Sequence, residues 1–498
     1  MLPMTSPFPI SDAFAFFLSA VASGCPCDPA AYGVTSITRE QVRELCEVAP
    51  QTSDRKPVFR NAHFGSVIFE GGADFSETVF EGKTDFSGAI FKGGADFSGV
   101  IFGGWVHFFE VVFEGKADFS WAVFEREVYF SEVNFVEESN FLRVMFKGQA
   151  NFVRATFEHE VFFSRTTFGR EAYFSWVVFH GGARFDRTRF APRSLVEGGT
   201  FPDTASFDGM RVLSRLVFRG APSELLRLEG SFRGTDLTYV EFENVDLARC
   251  FFEDATGVDQ VGLRGGTCFD RTQKRERLAD EVRFRGSFSQ NNSAKARHVL
   301  SQPSVGRSWA GFWGKSAALR KQDQSAKARR LAQLYRDFRK SRQDVKNEMG
   351  AADFYYGEME MRRRSDPWAT RLLLGVYWAV SGYGLRPLRA FAMLAMLVFV
   401  ATFALNASGV EDARPVSSVG RGSTFEIDLV TDMVLEDQTG TPGFGEIFLF
   451  VLGSLVGVST FNTEMLTTTG QAVRVVLRFA GPVFLALAVL AVRSRVKR

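Results

Sequence analysis

Cys25, Cys27 and Cys46 could together offer three thiolates to a metal ion, the ligand type that tetrahedral zinc prefers. No fourth ligand stands at a diagnostic spacing, so the trio predicts no metal site. The histidines (His63, His107, His159, His180 and His298) are scattered, and no Ser/His/Asp set, phosphate loop or metal-binding pair emerges. His63 and His107 each directly precede a regularly spaced phenylalanine, where strand alternation turns them outward. Cys250 stands two residues before another such phenylalanine, a core position. These residue types predict no enzyme and no cofactor. The remaining polar groups of interest lie near the C-terminus. Ser459, Thr460, Phe461, Asn462, Thr463 and Glu464 form a short turn between apolar stretches, and Arg474 and Arg478 place charge inside one of those stretches.

The chain that must position them has 498 residues, 45% hydrophobic, with a net charge of +2. That is enough for roughly two to four domains with real cores. Near-neutral charge gives no whole-chain nucleic-acid signal, and five cysteines are too few for a disulfide-stapled secreted protein. Phenylalanine is the anomaly, with 54 copies against 9 tyrosines. An ordinary core mixes Leu, Ile and Val with its Phe, so one side chain used this heavily implies one environment repeated many times.

From Phe64 to Phe190 the phenylalanines recur at alternating intervals of 5 and 6, an 11-residue period repeated twelve times without exception. Two residues before each stands a small or β-branched residue, such as Ala73, Val67 or Thr78. Such self-similarity means a solenoid. Residues i−2 and i on one face is strand geometry, which predicts a β-helix with short sides. Asp or Asn before a phenylalanine and Ser after it, as in Asp74-Phe75-Ser76, suit turns. Glycines two residues into the six-residue interval (Gly71, Gly82, Gly93, Gly115, Gly148, Gly181) suggest a corner with positive φ. Four sides per coil give about 22 residues per coil and about six coils. Patterned residues are accounted for as core or corner, which leaves the outer surface for binding rather than catalysis.

Ala73-Asp74-Phe75-Ser76, Ala95-Asp96-Phe97-Ser98 and Ala117-Asp118-Phe119-Ser120 resemble the pentapeptide-repeat unit Ala-(Asp/Asn)-(Leu/Phe)-X-X. Plain five-residue spacing returns at Phe232, Leu237, Phe242, Leu247 and Phe252. The resemblance covers about residues 58–265 and implies a right-handed quadrilateral β-helix. The 5/6 alternation departs from the uniform unit, and residues 191–230 match less well, as a distorted coil or a break.

Residues 271–364 are rich in Lys and Arg, with Leu331, Leu334, Tyr335 and Phe338 at helical spacing. Val345, Met349, Ala352, Tyr356 and Met359 repeat the pattern, with Gly350 between two helices. The expectation is a solvated basic helical connector at 270–368; a basic face of this kind could otherwise touch nucleic acid or anionic lipid.

Residues 390–410 carry no charge and can span a bilayer. A second span at 472–492 contains Arg474, Arg478 and Pro482, so the arginines must snorkel or face a wet interior. Between them, residues 447–461 are apolar but too short to cross and suit a re-entrant helix. Each piece alone could be a buried soluble helix; the three together argue for a membrane domain at 369–498. Arg386 and Arg389 before the first span and four basic residues after the second place both termini and the solenoid in the cytoplasm, on a bacterial inner membrane. Ser381-Gly382-Tyr383-Gly384 has a filter's letters, but no pore helix precedes it, so it is read as a turn.

Leu455-Val456-Gly457-Val458-Ser459-Thr460, followed by Leu466-Thr467-Thr468-Thr469-Gly470-Gln471 and the last span, resembles the two-transmembrane module of potassium-channel-like proteins. The resemblance implies a homotetramer with pore candidates Ser459, Thr460, Phe461, Asn462, Thr463 and Glu464. The glycines of a potassium filter are missing from this turn, which puts potassium selectivity in doubt.

The N-terminal segment 1–57 has an apolar run, Phe14 to Ala22, ahead of Cys25. Asp12 and the lack of a preceding positive charge argue against a cleaved signal. The leading expectation is a membrane protein whose cytoplasmic solenoid binds a partner or senses a state and whose C-terminal module is channel-like. A non-conducting membrane-anchored scaffold is the alternative. Topoisomerase protection by DNA mimicry ranks last, because the solenoid is only mildly acidic. Membrane lipid, other copies of the chain and a protein of unknown identity are the expected partners, with no role for nucleic acid.

Overall fold

The computed structural model describes residues 10–191, 193–202, 204–221, 223–271, 275–286, 310–408, 443–456 and 466–496. The chain divides into two compact units, 1–365 and 366–498.

The first unit is built on a four-sided parallel β-helix of about nine turns. Successive two- to three-residue strands, such as Ala73–Asp74, Val79–Glu81, Thr84–Asp85 and Ile90–Phe91, lie on its first, second, third and fourth sides. Through the regular coils each strand pairs with the one four strands later, and towards both ends with one two or three strands later, giving parallel sheets of nine, eight, nine and seven strands. Register is one coil of 22 residues, with Ile68 on Ile90 and Phe69 on Phe91.

Phenylalanine dominates because a planar ring satisfies two packing demands at once. Along the axis each ring stacks on its equivalent one coil away, as Phe69 on Phe91 (4.4 Å, 1°) and Phe108 on Phe130 (4.8 Å, 2°). That separation matches the spacing of adjacent strands, so backbone pairing and ring stacking agree. Across the coil, rings of neighbouring columns meet edge to face, as Phe119 and Phe130 do at 5.5 Å and 85°. Both geometries suit the ring quadrupole. The i−2 residues are buried beside them, Ala73, Val67 and Thr78 among them.

The turn chemistry agrees with the Asp–Phe–Ser pattern. The Asp96 and Asp118 carboxylates accept the backbone N–H of Ser98 (2.8 Å) and Ser120 (2.7 Å). The glycine expectation needs correcting. Positive φ recurs every eleven residues two positions after the first phenylalanine of each pair, at Glu77, Glu110, Trp121, Arg143 and Arg165 among others. Of the six glycines proposed for positive φ, Gly82 alone has it. Several of the others serve close packing of coils instead. A Cβ on Gly148 would lie 2.2 Å from the carbonyl carbon of Arg126 in the preceding coil.

The described residues between 191 and 230 continue the stack of coils, but coil length varies. The paired positions Phe190 and Val212 are 22 apart, Leu216 and Val240 are 24 apart, and Gly230 and Cys250 are 20 apart. The five-residue rule then holds, with Phe232 stacked on Phe252 at 5.4 Å.

Both ends of the solenoid are covered. At the N-terminal end, α1 (Ile10–Ala22) and α2 (Arg39–Val48) bury Phe14, Phe17, Val42 and Leu45 in the same core as the first coils. Strand Ser36–Ile37 extends the fourth side by pairing with Ile68–Phe69. At the C-terminal end a short helix at 279–286 (α3) is followed by α4 (Ala310–Asp344) and α5 (Glu348–Ser365). Such caps close the open strand edges of a repeat stack.

Candidate functional site

The basic helical segment is a packed cap, grouped with the solenoid in one compact unit, instead of a solvated connector. Phe338 of α4 meets the last rings of the stack, Phe252 and Phe269, each at 5.1 Å, and Phe354 of α5 meets Phe269 at 5.1 Å. Leu331, Leu334, Tyr335 and Phe338 are buried, as their spacing predicts. The second helix buries a different face from the one expected. Ala351, Phe354, Gly357 and Met361 face inward, whereas Met349 is 71% exposed. Gly350 lies within α5, and the chain turns before it at Lys346 (φ 58°). Gly357 sets this rotation, since a Cβ there would come within 2.5 Å of the Tyr335 ring.

The charges of the cap are turned inward in pairs. Arg342, buried to 1%, binds Glu276 at 3.0 Å and donates to the Thr267 carbonyl at 2.9 Å. Glu358 receives Arg339 and Arg362, both at 2.7 Å. Buried Glu281 accepts the Tyr335 hydroxyl, and that hydroxyl accepts the Leu278 N–H at 3.1 Å. Burial, reinforced by the Glu281 charge, pushes the Tyr335 phenol well above its usual range. Burial pulls the Arg342 guanidinium down, opposed by Glu276. Unpaired, such charges would be costly, so the network fixes how the hairpin sits on the last coil. Nearby, burial raises the Asp280 carboxyl to about 6, although it accepts the Phe252 N–H at 3.0 Å.

Cys27 is buried, Cys46 is half-buried with its thiol directed at the Asp74 carbonyl (3.7 Å), and Cys25 is exposed. Desolvation raises the Cys27 and Cys46 thiols, the latter to about 12. Among the described residues no group of three or more His, Cys, Asp or Glu could hold a metal ion. Cys250 is a core residue whose thiol donates to the Leu228 carbonyl at 2.8 Å. His107 lies outward and stacks on Tyr129 at 5.1 Å.

The second unit contains α6 (Trp368–Ser381), α7 (Pro387–Ser408), α8 (Phe444–Val456) and α9 (Thr468–Val496). Two of these helices are long and apolar enough to cross a membrane, over Pro387–Ala407 and Thr468–Leu490. The apolar helix between them, α8, packs Ile447, Phe450, Val451 and Leu455 against Val398, Leu405 and Leu477. Gly481 lets α9 approach α8 closely, for its Cβ would lie 2.6 Å from Leu455. The outer surface is strongly apolar; Phe399 is 67% exposed and Phe479 75%. Arg474 is half-buried and Arg478 exposed on the unbroken α9, which continues through Pro482. The letters Ser381-Gly382-Tyr383-Gly384 form a turn, with Gly382, Tyr383 and Gly384 all at positive φ. Ser459, Thr460, Phe461, Asn462, Thr463 and Glu464 lie outside the described residues. Sequence reasoning missed α6, because its apolar positions are mixed with Gly, Tyr and Arg and fall short of a span.

Three comparisons bear on these features. A family model for pentapeptide repeats matches residues 64–112, 108–156 and 152–195. No curated protein matches the chain. Among solved structures the chain is similar to QnrB1, described as a plasmid-mediated fluoroquinolone resistance protein, with 17% identity over 42% of this chain and 91% of that one. The TM-score is 0.14, so that likeness carries no argument. Residues 64–195 are therefore pentapeptide repeats, and they form the greater part of a β-solenoid followed by a helical C-terminal region.

Proposed function

We propose that this is a membrane-embedded protein in which the pentapeptide-repeat solenoid serves as a docking or sensing domain and the C-terminal helices form a channel-like module. The interaction role follows from the solenoid, whose rings, small residues and turns are spent on its own fold, leaving four long outer faces for partners. The observation that carries the membrane reading is exposure. Only 28% and 17% of the two apolar windows are buried, whereas the core helix of a soluble protein would be mostly buried. Water would not tolerate that surface; lipid or further subunits would. α6 adds an apolar stripe of Trp368, Leu372 and Val376, all more than half exposed, which suits a helix lying in the membrane interface.

The channel reading is supported by the order along the chain: span, short apolar helix, a polar stretch of sequence, span. Two spans cannot enclose a pore, so the active form is a tetramer, for which Ser459, Thr460, Phe461, Asn462, Thr463 and Glu464 are the pore candidates by sequence. The cytoplasmic placement of the solenoid rests on Arg386 and Arg389 before α7 and on Arg493, Arg495, Lys497 and Arg498 after the second apolar span. A second reading, a membrane-anchored scaffold that does not conduct, is favoured by the missing filter glycines at 459–464. Purified protein in planar bilayers separates the two. Currents altered by Glu464→Gln support the channel, and silence across ion conditions removes it.

A further inference from the structure

The solenoid usually pairs its surface cations with acids one coil away, as Lys92 with Glu70, Lys147 with Glu125, Arg154 with Glu132 and Arg184 with Glu160. The second side departs from this in its later coils. Arg143, Arg165 and Arg187 occupy successive positive-φ positions at its corner, and Arg189 and Arg211 are in register on neighbouring strands. All five are exposed, and none makes an ion pair among the described residues. Like charges directly opposite on paired strands oppose folding, so this arrangement is not explained by stability.

Three acids of these coils accept hydroxyl groups and are absent from the ion pairs of the described residues. Asp186 accepts the Ser206 hydroxyl, Asp208 accepts the Ser231 hydroxyl, and Asp236 binds the Thr238 hydroxyl at 2.6 Å. Past Arg187 the same corner carries Gly209 and Gly234, which removes two side chains and leaves a groove lined by Arg187, Arg189, Arg211, Leu213 and Asp236. Apolar groups are interspersed with the arginines. Leu213 is 66% exposed, Met145 44%, and Trp121 56% with the Arg143 guanidinium 4.3 Å above its ring.

We propose that this arginine-lined second side, over residues 121–213, is the docking face for an acidic segment of a partner protein that also carries apolar side chains. The proposal rests on the interaction reading above. Arginine presents a planar fork that grips carboxylates in bidentate fashion. Arg, Trp and Met together are the composition of a protein interface centre. A polynucleotide would use the charges but gain nothing from Leu213 and Met145, which decides between the two kinds of polyanion.

The test uses the full chain with fluorescein-labelled deca-glutamate, the same peptide with two central leucines, and a ten-nucleotide oligothymidine. The expected result is binding of both peptides, tighter for the leucine-containing one and weakened by salt. The triple variant Arg187→Glu, Arg189→Glu, Arg211→Glu should lose at least about 100-fold in affinity. Its melting temperature should not fall, which separates a docking role from a structural one. Equal binding by the triple variant, no binding by either peptide, or tighter binding of oligothymidine overturns the proposal. In cells, photo-crosslinkers at Leu213 and at Glu114 near the opposite, fourth side separate the two levels of inference. Adducts at Glu114 alone leave the docking role standing and remove this face; adducts at neither remove both.

Discussion

Truncating Phe130 to alanine removes one ring from the middle of the solenoid. Phe130 is fully buried, stacked between Phe108 at 4.8 Å and Phe152 at 4.9 Å. It also meets Phe119, Phe141 and Phe124 edge-on at 5.5, 5.6 and 6.0 Å. Burying a phenylalanine contributes about 2–3 kcal/mol by transfer, and Phe→Ala in a core costs about 3–5 kcal/mol once the cavity is included. The upper end applies here. Coil-to-coil hydrogen bonds such as Phe130 N–H to the Asn151 carbonyl (2.7 Å) hold the spacing and prevent collapse onto the void. Phe130→Leu keeps much of the volume but loses ring stacking, and should cost about half as much. Trp121→Ala, 56% exposed, should stay within about 0.5 kcal/mol. Guanidinium unfolding of the full chain, followed by its β circular dichroism, gives these differences. Hydrogen exchange should quicken first in the coils holding Phe108 and Phe152, because repeats couple mainly to their neighbours. A cost below about 1 kcal/mol for Phe130→Ala, or indifference to Leu, would refute the ring-stacking account of the composition.

The native Asp280 carboxyl, at about 6, lies above the unfolded value near 3.8, so folding favours its protonated form. Its penalty is absent below about pH 4 and complete above about pH 6, so stability falls as pH rises through that window. Asp280→Asn should stabilise the chain at pH 7 by up to about 3 kcal/mol and leave it unchanged at pH 4, read as paired melting curves. Arg342→Ala leaves buried Glu276 with Arg271 as its remaining partner and should cost about 2–4 kcal/mol, whereas Arg342→Met should recover part of that loss in the same unfolding assay. Gly357→Ala should cost about 1–3 kcal/mol through its clash with the Tyr335 ring, with faster exchange confined to α4 and α5.

Much of the solenoid was legible because a phenylalanine marks one inward position on every side from 64 to 190, and the period of 5 and 6 translates directly into four sides and a 22-residue coil. The positive-φ corners were not legible. Glu77, Trp121 and Arg143 stand there instead of glycine, held by coil-to-coil bonds such as Trp121 N–H to the Leu142 carbonyl at 2.9 Å. The cap was hidden by its composition. Arg339 and Arg342 look like solvated charge, yet their carboxylate partners come from residues 358 and 276, distant in sequence. The face of α5 was misjudged for a related reason: the pattern took Met349 as core, whereas Gly357 sets the contact with Tyr335. In the second unit, hydropathy located both long helices within a few residues, at Pro387–Ser408 and Thr468–Val496.

Crosslinking the chain in native membranes after alkaline carbonate extraction tests the proposed function most directly. The account predicts that the protein stays in the carbonate-resistant pellet and crosslinks in steps up to a tetramer. A protein released into the soluble fraction, or one that stops at a dimer, would contradict it.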